Sequence, residues 1–170
     1  IAPTFVSCDS DDDEDIKNVD AVTGTYSGTM TASVSMQGNV YDNLEMPGTF
    51  EVKIVKQNST SDEVTVILPE CSYTPPMSDR VETIPSLTIP NVDVEHERNG
   101  LYSLDKDKYT LAVNGVQYEV TIYDYDKDAT HREDGTTISG KDIRLVYSIV
   151  PGRMGAMGGS IDFTFSGTMK

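Results

Sequence analysis

The sequence predicts an all-β fold, a single antiparallel up-and-down barrel of about eight strands, with a two-sheet sandwich as the alternative. Three observations predict it. Two long segments, one near each end of the chain, alternate apolar and polar residues with the period of a strand that has one dry and one wet face. Thr, Val and Ile recur while Ala and Leu are sparse, and nine Tyr stand against four Phe and no Trp, a bias that suits strands. No window longer than a turn or two carries the period of an amphipathic helix. The 170 residues suit one domain, and 37% hydrophobic residues are enough for a core, though a thin one.

From the N-terminal end, Ile1 to Ser7 form a short apolar stub before Cys8 and read as the remnant of a signal peptide, with small residues before a processing point. Phe5-Val6-Ser7-Cys8 resembles a bacterial lipobox, with Phe5 where Leu is usual. That resemblance implies that Cys8 is lipidated and begins the mature protein. The acidic run from Asp9 to Asp15 resembles the lipoprotein export signal of Bacteroidetes, which implies the outer face of the outer membrane. On physical grounds the same run reads as a solvated, disordered linker over residues 8–20. Several acyl chains on one Cys anchor firmly, since each buried CH₂ contributes ~0.8 kcal/mol. No other stretch approaches the ~20 apolar residues that a spanning helix needs.

The barrel domain is expected over residues 21–170. Val22 to Met36 is the first strand: Val22, Tyr26, Met30, Ala32, Val34 and Met36 share one face with Gly24 and Gly28, and the other face holds only Thr and Ser. Thr49 to Gln57 places Phe50, Val52 and Ile54 together, and Glu63 to Leu68 does the same for Val64, Val66 and Leu68. Ser86 to Glu95 is interrupted by Pro90, so it is expected as two short pieces or an edge strand. Tyr109 to Val113, the Asn114-Gly115 pair and Val116 to Asp124 read as a hairpin closed by a type I′ turn. Thr137 to Val150 reads as one strand with Ile143, Leu145, Tyr147 and Ile149 on a face. The last strand carries Ile161, Phe163, Phe165, Gly167 and Met169 on its dry side. Its Phe165-Ser166-Gly167-Thr168-Met169 echoes Tyr26-Ser27-Gly28-Thr29-Met30, and the two segments are expected to lie side by side and close the barrel. A membrane barrel is disfavoured because the outward faces are Thr, Ser, Asp and Lys.

The opening V-T-G-T-Y-S-G-T-M, the central Pro85 to Val94, the late Ile138 to Lys141 and the closing F-T-F-S-G-T-M-K resemble the calycin-like (lipocalin-like) β-barrel lipoproteins of Bacteroides, over roughly residues 20–170. The resemblance implies a small antiparallel barrel and brings no catalytic residue and no settled ligand. The connection from Pro69 to Pro85 and the stretch from Gly152 to Gly159 fit that pattern least well.

The net charge of −15 argues against nucleic acid or anionic lipid surfaces as partners, because phosphate is repelled. Membrane association is expected only through the lipid. Two cysteines, Cys8 and Cys71, make neither a disulfide framework nor a zinc site, and Cys71 reads as a partly buried small residue. The nucleophile-elbow, zinc-protease, phosphate-loop and dinucleotide motifs are missing. His96 and His131 lack partners at ligand spacing and read as surface residues. Asp124, Asp126 and Asp128 invite a calcium reading, but an EF-hand needs Gly sixth and Glu twelfth, where this chain has Ala129 and Gly135. That excludes the true loop and leaves an acidic hairpin loop, with a looser calcium site as the alternative. With 28 acidic residues, no carboxylate pair for glycoside hydrolysis can be singled out. No catalytic residue, cofactor or metal is therefore expected.

Tyr26, Met30, Phe50, Tyr118, Phe163 and Phe165 form either a packed core or the lining of a pocket. Met154 and Met157 lie in a Gly-rich stretch that is either a loose connection or an adaptable flap at a ligand mouth. The expected function is non-covalent binding of a small or apolar ligand by an envelope lipoprotein. The alternative is a filled barrel whose surface meets another envelope protein or a glycan, and an enzyme comes third.

Overall fold

The computed structural model describes residues 18–44, 46–57, 62–125, 135–152 and 159–170. Cys8 and the acidic run after it, Asp126, Asp128, His131, Met154 and Met157 lie outside the described residues.

Among the described residues, twelve strands follow in chain order. They are β1 (Gly24–Met36), β2 (Asn39–Leu44), β3 (Phe50–Lys56), β4 (Glu63–Leu68), β5 (Cys71–Tyr73), β6 (Glu82–Ile84), β7 (Leu87–Arg98), β8 (Leu101–Val113), β9 (Val116–Ile122), β10 (Thr137–Ser139), β11 (Asp142–Pro151) and β12 (Ser160–Met169). Eight of them form a closed antiparallel ring, β11-β12-β1-β3-β4-β7-β8-β9, and the β9–β11 pairing returns to the start. Closure rules out the sandwich and leaves no long open edge in the wall.

The seam between the first and last strands is the one expected from their matching sequences. β1 pairs with β12 from Tyr26↔Met169 to Ser35↔Ser160, which sets Gly28 opposite Gly167. A Cβ on Gly28 would stand 1.9 Å from the Ser166 carbonyl oxygen, and one on Gly167 2.7 Å from the Phe165 ring. Glycine at both places is what allows the two strands to approach this closely. The dry faces point inward as the alternation requires: Tyr26, Met30, Ala32 and Val34 from β1, and Ile161, Phe163 and Phe165 from β12, are all buried.

Two wall positions are filled by broken strands. β3 covers the first half of β1 and β2 the second. Likewise β9 and β10 fill successive parts of the gap between β8 and β11. The segment expected as one strand over 137–150 is thus a hairpin, β10 and β11, which turns at Gly140 with φ 58°. Alternation alone did not reveal the turn because Ile138 and Ile143, paired across it, are both buried.

Pro90 also behaves differently from expectation. β7 is one continuous strand inside the wall, paired with β4 on one side and β8 on the other. The ladder to β4 skips from Val92 to Ile89 opposite Val64 and Val66, so Pro90 and Asn91 form a bulge, with Asn91 at φ 54°. The bulge absorbs the missing N–H, and β8 pairing begins only at Asp93. The Asn114-Gly115 turn has both residues at positive φ, 52° and 79°, as a type I′ turn requires.

One end of the barrel is plugged. Residues 18–22 form a helical turn rather than the start of β1. Its Val19 and Val22 belong to the core, and the Tyr26 hydroxyl donates to the Val22 carbonyl at 2.7 Å. Asp20 pairs with Lys56 at the rim of this end. The middle of the barrel is filled by side chains, with Tyr147 stacked on Phe163 at 5.0 Å and its hydroxyl 3.5 Å from the Met30 sulfur. The other end, where β1 and β11 finish, is spanned by the separate β5–β6 hairpin.

Candidate functional site

Strand alternation builds the open end. In the β5–β6 hairpin, Cys71 faces Ile84, Ser72 faces Thr83 and Tyr73 faces Glu82. Ser72 and Thr83 are exposed, and their hydroxyls share a hydrogen bond of 2.9 Å on one face. Cys71, Tyr73, Glu82 and Ile84 therefore share the other face, and Cys71, Tyr73 and Ile84 are buried in the same core as the barrel. The hairpin stands off from the β8–β9 turn and the end of β11, and leaves a cavity of about 750 Å³. Met36, Tyr73, Pro75, Ile84, Val116, Tyr118 and Pro151 supply its apolar surface, with Glu82, Thr83 and Gln117 as polar groups.

Both phenols in this wall are perturbed. Burial pushes Tyr73 up to about 12, with the charge of Glu82 the next cause. Burial also raises Tyr118, and the same Glu82 charge adds to it. Neither hydroxyl has a hydrogen-bond partner among the described residues, and neither oxygen is sealed from solvent. Both residues line the cavity. Cys71 sits behind them as a buried free thiol, pushed up to about 11 by burial and then by Glu70. A thiol held in that form is a poor nucleophile.

The structure divides the residues singled out from the sequence. Tyr118 lines the cavity. Tyr26, Met30, Phe163 and Phe165 are buried in the closed middle of the barrel, and Phe50 packs partly buried against that core. Met154 and Met157 follow Gly152, itself at the cavity edge, but lie outside the described residues. Tyr73, Glu82 and Ile84 were not anticipated. They sit in strands of three residues within the Pro69–Pro85 connection, too short for alternation to register.

A second group of polar side chains lies on the outer wall toward the plugged end. Glu95 from β7, Asp105 from β8 and Asp124 after β9 bring carboxylate oxygens within 4.8 Å of one another, all half-buried. Asp124 is held there by local packing. Gly135 passes so close that a Cβ on it would stand 1.8 Å from the Asp124 carbonyl oxygen. The Tyr125 amide donates to Ser103 Oγ at 2.8 Å, and Ser103 Oγ donates to the Thr136 carbonyl at 2.7 Å. Burial first, then the charge of and a hydrogen bond with Asp124, pushes Glu95 up to about 7. Asp105 is raised by burial and then by Asp124.

Three carboxyls at this separation are a hard-oxygen set of the kind that divalent cations favour. Of the aspartates in the D-x-D-x-D run, Asp124 belongs to this group, and Asp126 and Asp128 lie outside the described residues. Glu95 and Asp124 are hydrogen-bonded to each other, which leaves no room between them for a sugar ring, as glycoside hydrolysis requires. His96 is exposed, with its ring 5.0 Å from that of Tyr102.

A closed ring of eight antiparallel strands with a filled middle, one plugged end and one hollow end defines a small antiparallel β-barrel. The chain belongs to the calycin-like β-barrel domain family, whose model it matches over residues 22–168. Among solved structures it is similar to a Bacteroides fragilis protein provisionally described as an outer membrane protein, with a TM-score of 0.59 and 18% identity. The match covers 90% of this chain and 53% of that one, so the chain spans about half the length of its structural neighbour. A search of curated proteins finds no match.

Proposed function

We propose that this chain is a ligand-binding domain of the bacterial cell envelope, held by a lipid on Cys8, with its ligand seated non-covalently in the cavity beneath the β5–β6 hairpin. The observation that carries the reading is the cavity itself. About 750 Å³ lies within the range of small-molecule sites, and its lining is mostly apolar with a few polar groups. The ligand sits at the mouth and not in the middle of the barrel, which Tyr26, Tyr147, Phe163 and Phe165 fill.

The chain direction supports the anchoring. Residue 18 stands at the plugged end, so a tether attached before it joins the barrel on the side opposite the mouth and leaves the cavity unobstructed. The structural neighbour's description as an outer membrane protein agrees with an envelope location, and the acidic run after Cys8 agrees with export to the outer face.

A second reading has one observation in its favour. Of the five exposed large apolar residues among those described, Val40, Met77, Val81 and Val116 lie on the elements that surround the mouth, and Val55 lies toward the plugged end. Such a rim also suits contact with another envelope protein or a glycan.

Native mass spectrometry of the domain purified from its own host separates the two. A one-to-one small-molecule adduct, lost in a Val116→Trp variant that narrows the cavity, supports the binding domain. Bare protein at every collision energy sinks it in favour of the surface module. For the anchor, the expected outcome is a diacyl or triacyl mass increment on Cys8, and release of a Cys8→Ala protein from the membrane fraction.

A further inference from the structure

The β5–β6 hairpin turns one face toward the barrel, and that face is apolar except at one place. Cys71, Tyr73 and Ile84 are buried on it, and Glu82, directly across from Tyr73, carries a carboxylate on the same side. Facing side chains of an antiparallel pair stand about 5 Å apart at Cβ, so the carboxylate and the Tyr73 ring are neighbours at the cavity edge.

Glu82 is the one carboxylate among the described residues of the cavity wall, and no Lys, Arg or His stands with it there. Arg80, two residues earlier, is exposed and is not part of that wall. The two phenols beside this charge present oxygens and ring surfaces, and Met36, Ile84 and Val116 present an apolar floor. A negative group with aromatic neighbours and an apolar floor is complementary to a positive head on an apolar body, through ion pairing and attraction to the ring faces. An anionic head in the same position meets the Glu82 charge with no cationic side chain among the described residues of the wall to offset it. The net charge of −15 on the whole chain acts in the same direction at longer range.

We propose that the mouth cavity selects amphipathic organic cations, with the ammonium group at Glu82 beside Tyr73 and Tyr118 and the hydrocarbon part against Ile84, Met36 and Val116. The proposal rests on the binding reading of the same cavity and adds the chemical class of the ligand. The ion pair is made at the rim, so its contribution is modest and sensitive to salt, while the apolar contact does not depend on salt in this way.

The test is calorimetric titration of the purified chain with three eight-carbon probes, octylammonium, 1-octanol and octanoate, each below its aggregation concentration at pH 7.5. Octylammonium is expected to bind about five- to tenfold more tightly than octanol, and octanoate more weakly than either. Glu82→Gln is expected to bring octylammonium down to the level of octanol and leave octanol unchanged. Glu97→Gln removes an equal charge from an exposed site at the far end of β7 and is expected to change neither; an equal loss in both variants would mean that overall charge, not Glu82, sets the preference, and would overturn the proposal. Equal binding of octylammonium and octanol overturns the cationic class while the cavity reading stands. If none of the three probes binds, the cavity reading fails together with it.

Discussion

The two ends of the barrel draw on the same kinds of apolar residue and differ in what lies across them. At the plugged end a helical turn over residues 18–22 pushes Val19 and Val22 into the core, and the Tyr26 hydroxyl ties the turn to the first strand. At the mouth the β5–β6 hairpin holds Tyr73 and Ile84 inward but stands away from the β8–β9 turn, and a cavity of about 750 Å³ opens between them. A helical turn can sink between strand ends because its own backbone groups are paired within it. A two-stranded hairpin presents a broad flat face, so it bridges the opening without filling it. In a barrel whose middle is packed, the plugged end is therefore closed by buried apolar side chains, while the mouth keeps open space under its hairpin.

The comparison can be broken most forcefully at the seam that both ends depend on. Gly28→Val drives a side chain into the Ser166 carbonyl and the Gly167 backbone. A loss of about 3 kcal/mol or more, or failure to fold, is expected in urea unfolding. Val22→Ala at the plug removes two fully buried methyl groups, and a loss of about 2 kcal/mol is expected by the same measurement. Tyr26→Phe deletes the hydroxyl that reaches the Val22 carbonyl. It is expected to cost about 1 kcal/mol, and the buried acceptor it leaves behind enters that figure.

A smaller effect, sharper in its pH dependence, belongs to the carboxylate group on the outer wall. Burial and the neighbouring Asp124 push the Glu95 carboxyl up to about 7 in the folded chain, against an ordinary value of 4.5. Between those values the folded protein keeps a proton that the unfolded chain has lost. Stability therefore falls as pH rises through this window and levels off above it. Urea midpoints measured from pH 4 to pH 8 are expected to show that fall, and Glu95→Gln is expected to flatten it and to be the more stable protein at pH 8. Asp93 and Asp105 are raised in the same sense, so part of the slope persists in the variant. The smallest change is expected at the mouth. Val116→Ala trims a side chain that is 42% exposed and is expected to move stability by no more than about 0.5 kcal/mol, although it sits in the cavity wall.

The sequence made the barrel legible because its signal is periodic. Long strands such as β1 and β12 alternate over many residues, and their paired glycines match because each needs the other's space. The Asn114-Gly115 turn was readable because only certain residues tolerate two consecutive positive φ angles. Pro90 misled because a missing N–H counts against an interior strand unless a bulge accommodates it, and bulges leave no period. The first half of β8, Leu101 to Lys108, escaped notice because polar residues dominate it and a bulge between Lys106 and Tyr109 breaks its phase.

The cavity was far less legible than the fold. Tyr118 could be placed on an inward face, but alternation does not distinguish a residue in the packed middle from one at an open end. That distinction depends on the β5–β6 hairpin, whose three-residue strands are joined by a connection of eight residues and are recognisable only once paired. The carboxylate group was hidden for a related reason. Glu95, Asp105 and Asp124 are separated in sequence and meet only because β7 and β8 pair and Gly135 holds Asp124 against the wall.

We propose that ligands enter the mouth and leave the packed middle untouched. Amide chemical shifts of the isotope-labelled chain, followed during titration with 1-octanol, test it most directly. Saturable shifts are expected at β5, β6, the Asn114-Gly115 turn and the end of β11 alone, with Val19, Val22, Phe163 and Phe165 unmoved. Shifts centred on those four core residues, or no saturable shift anywhere, would contradict it.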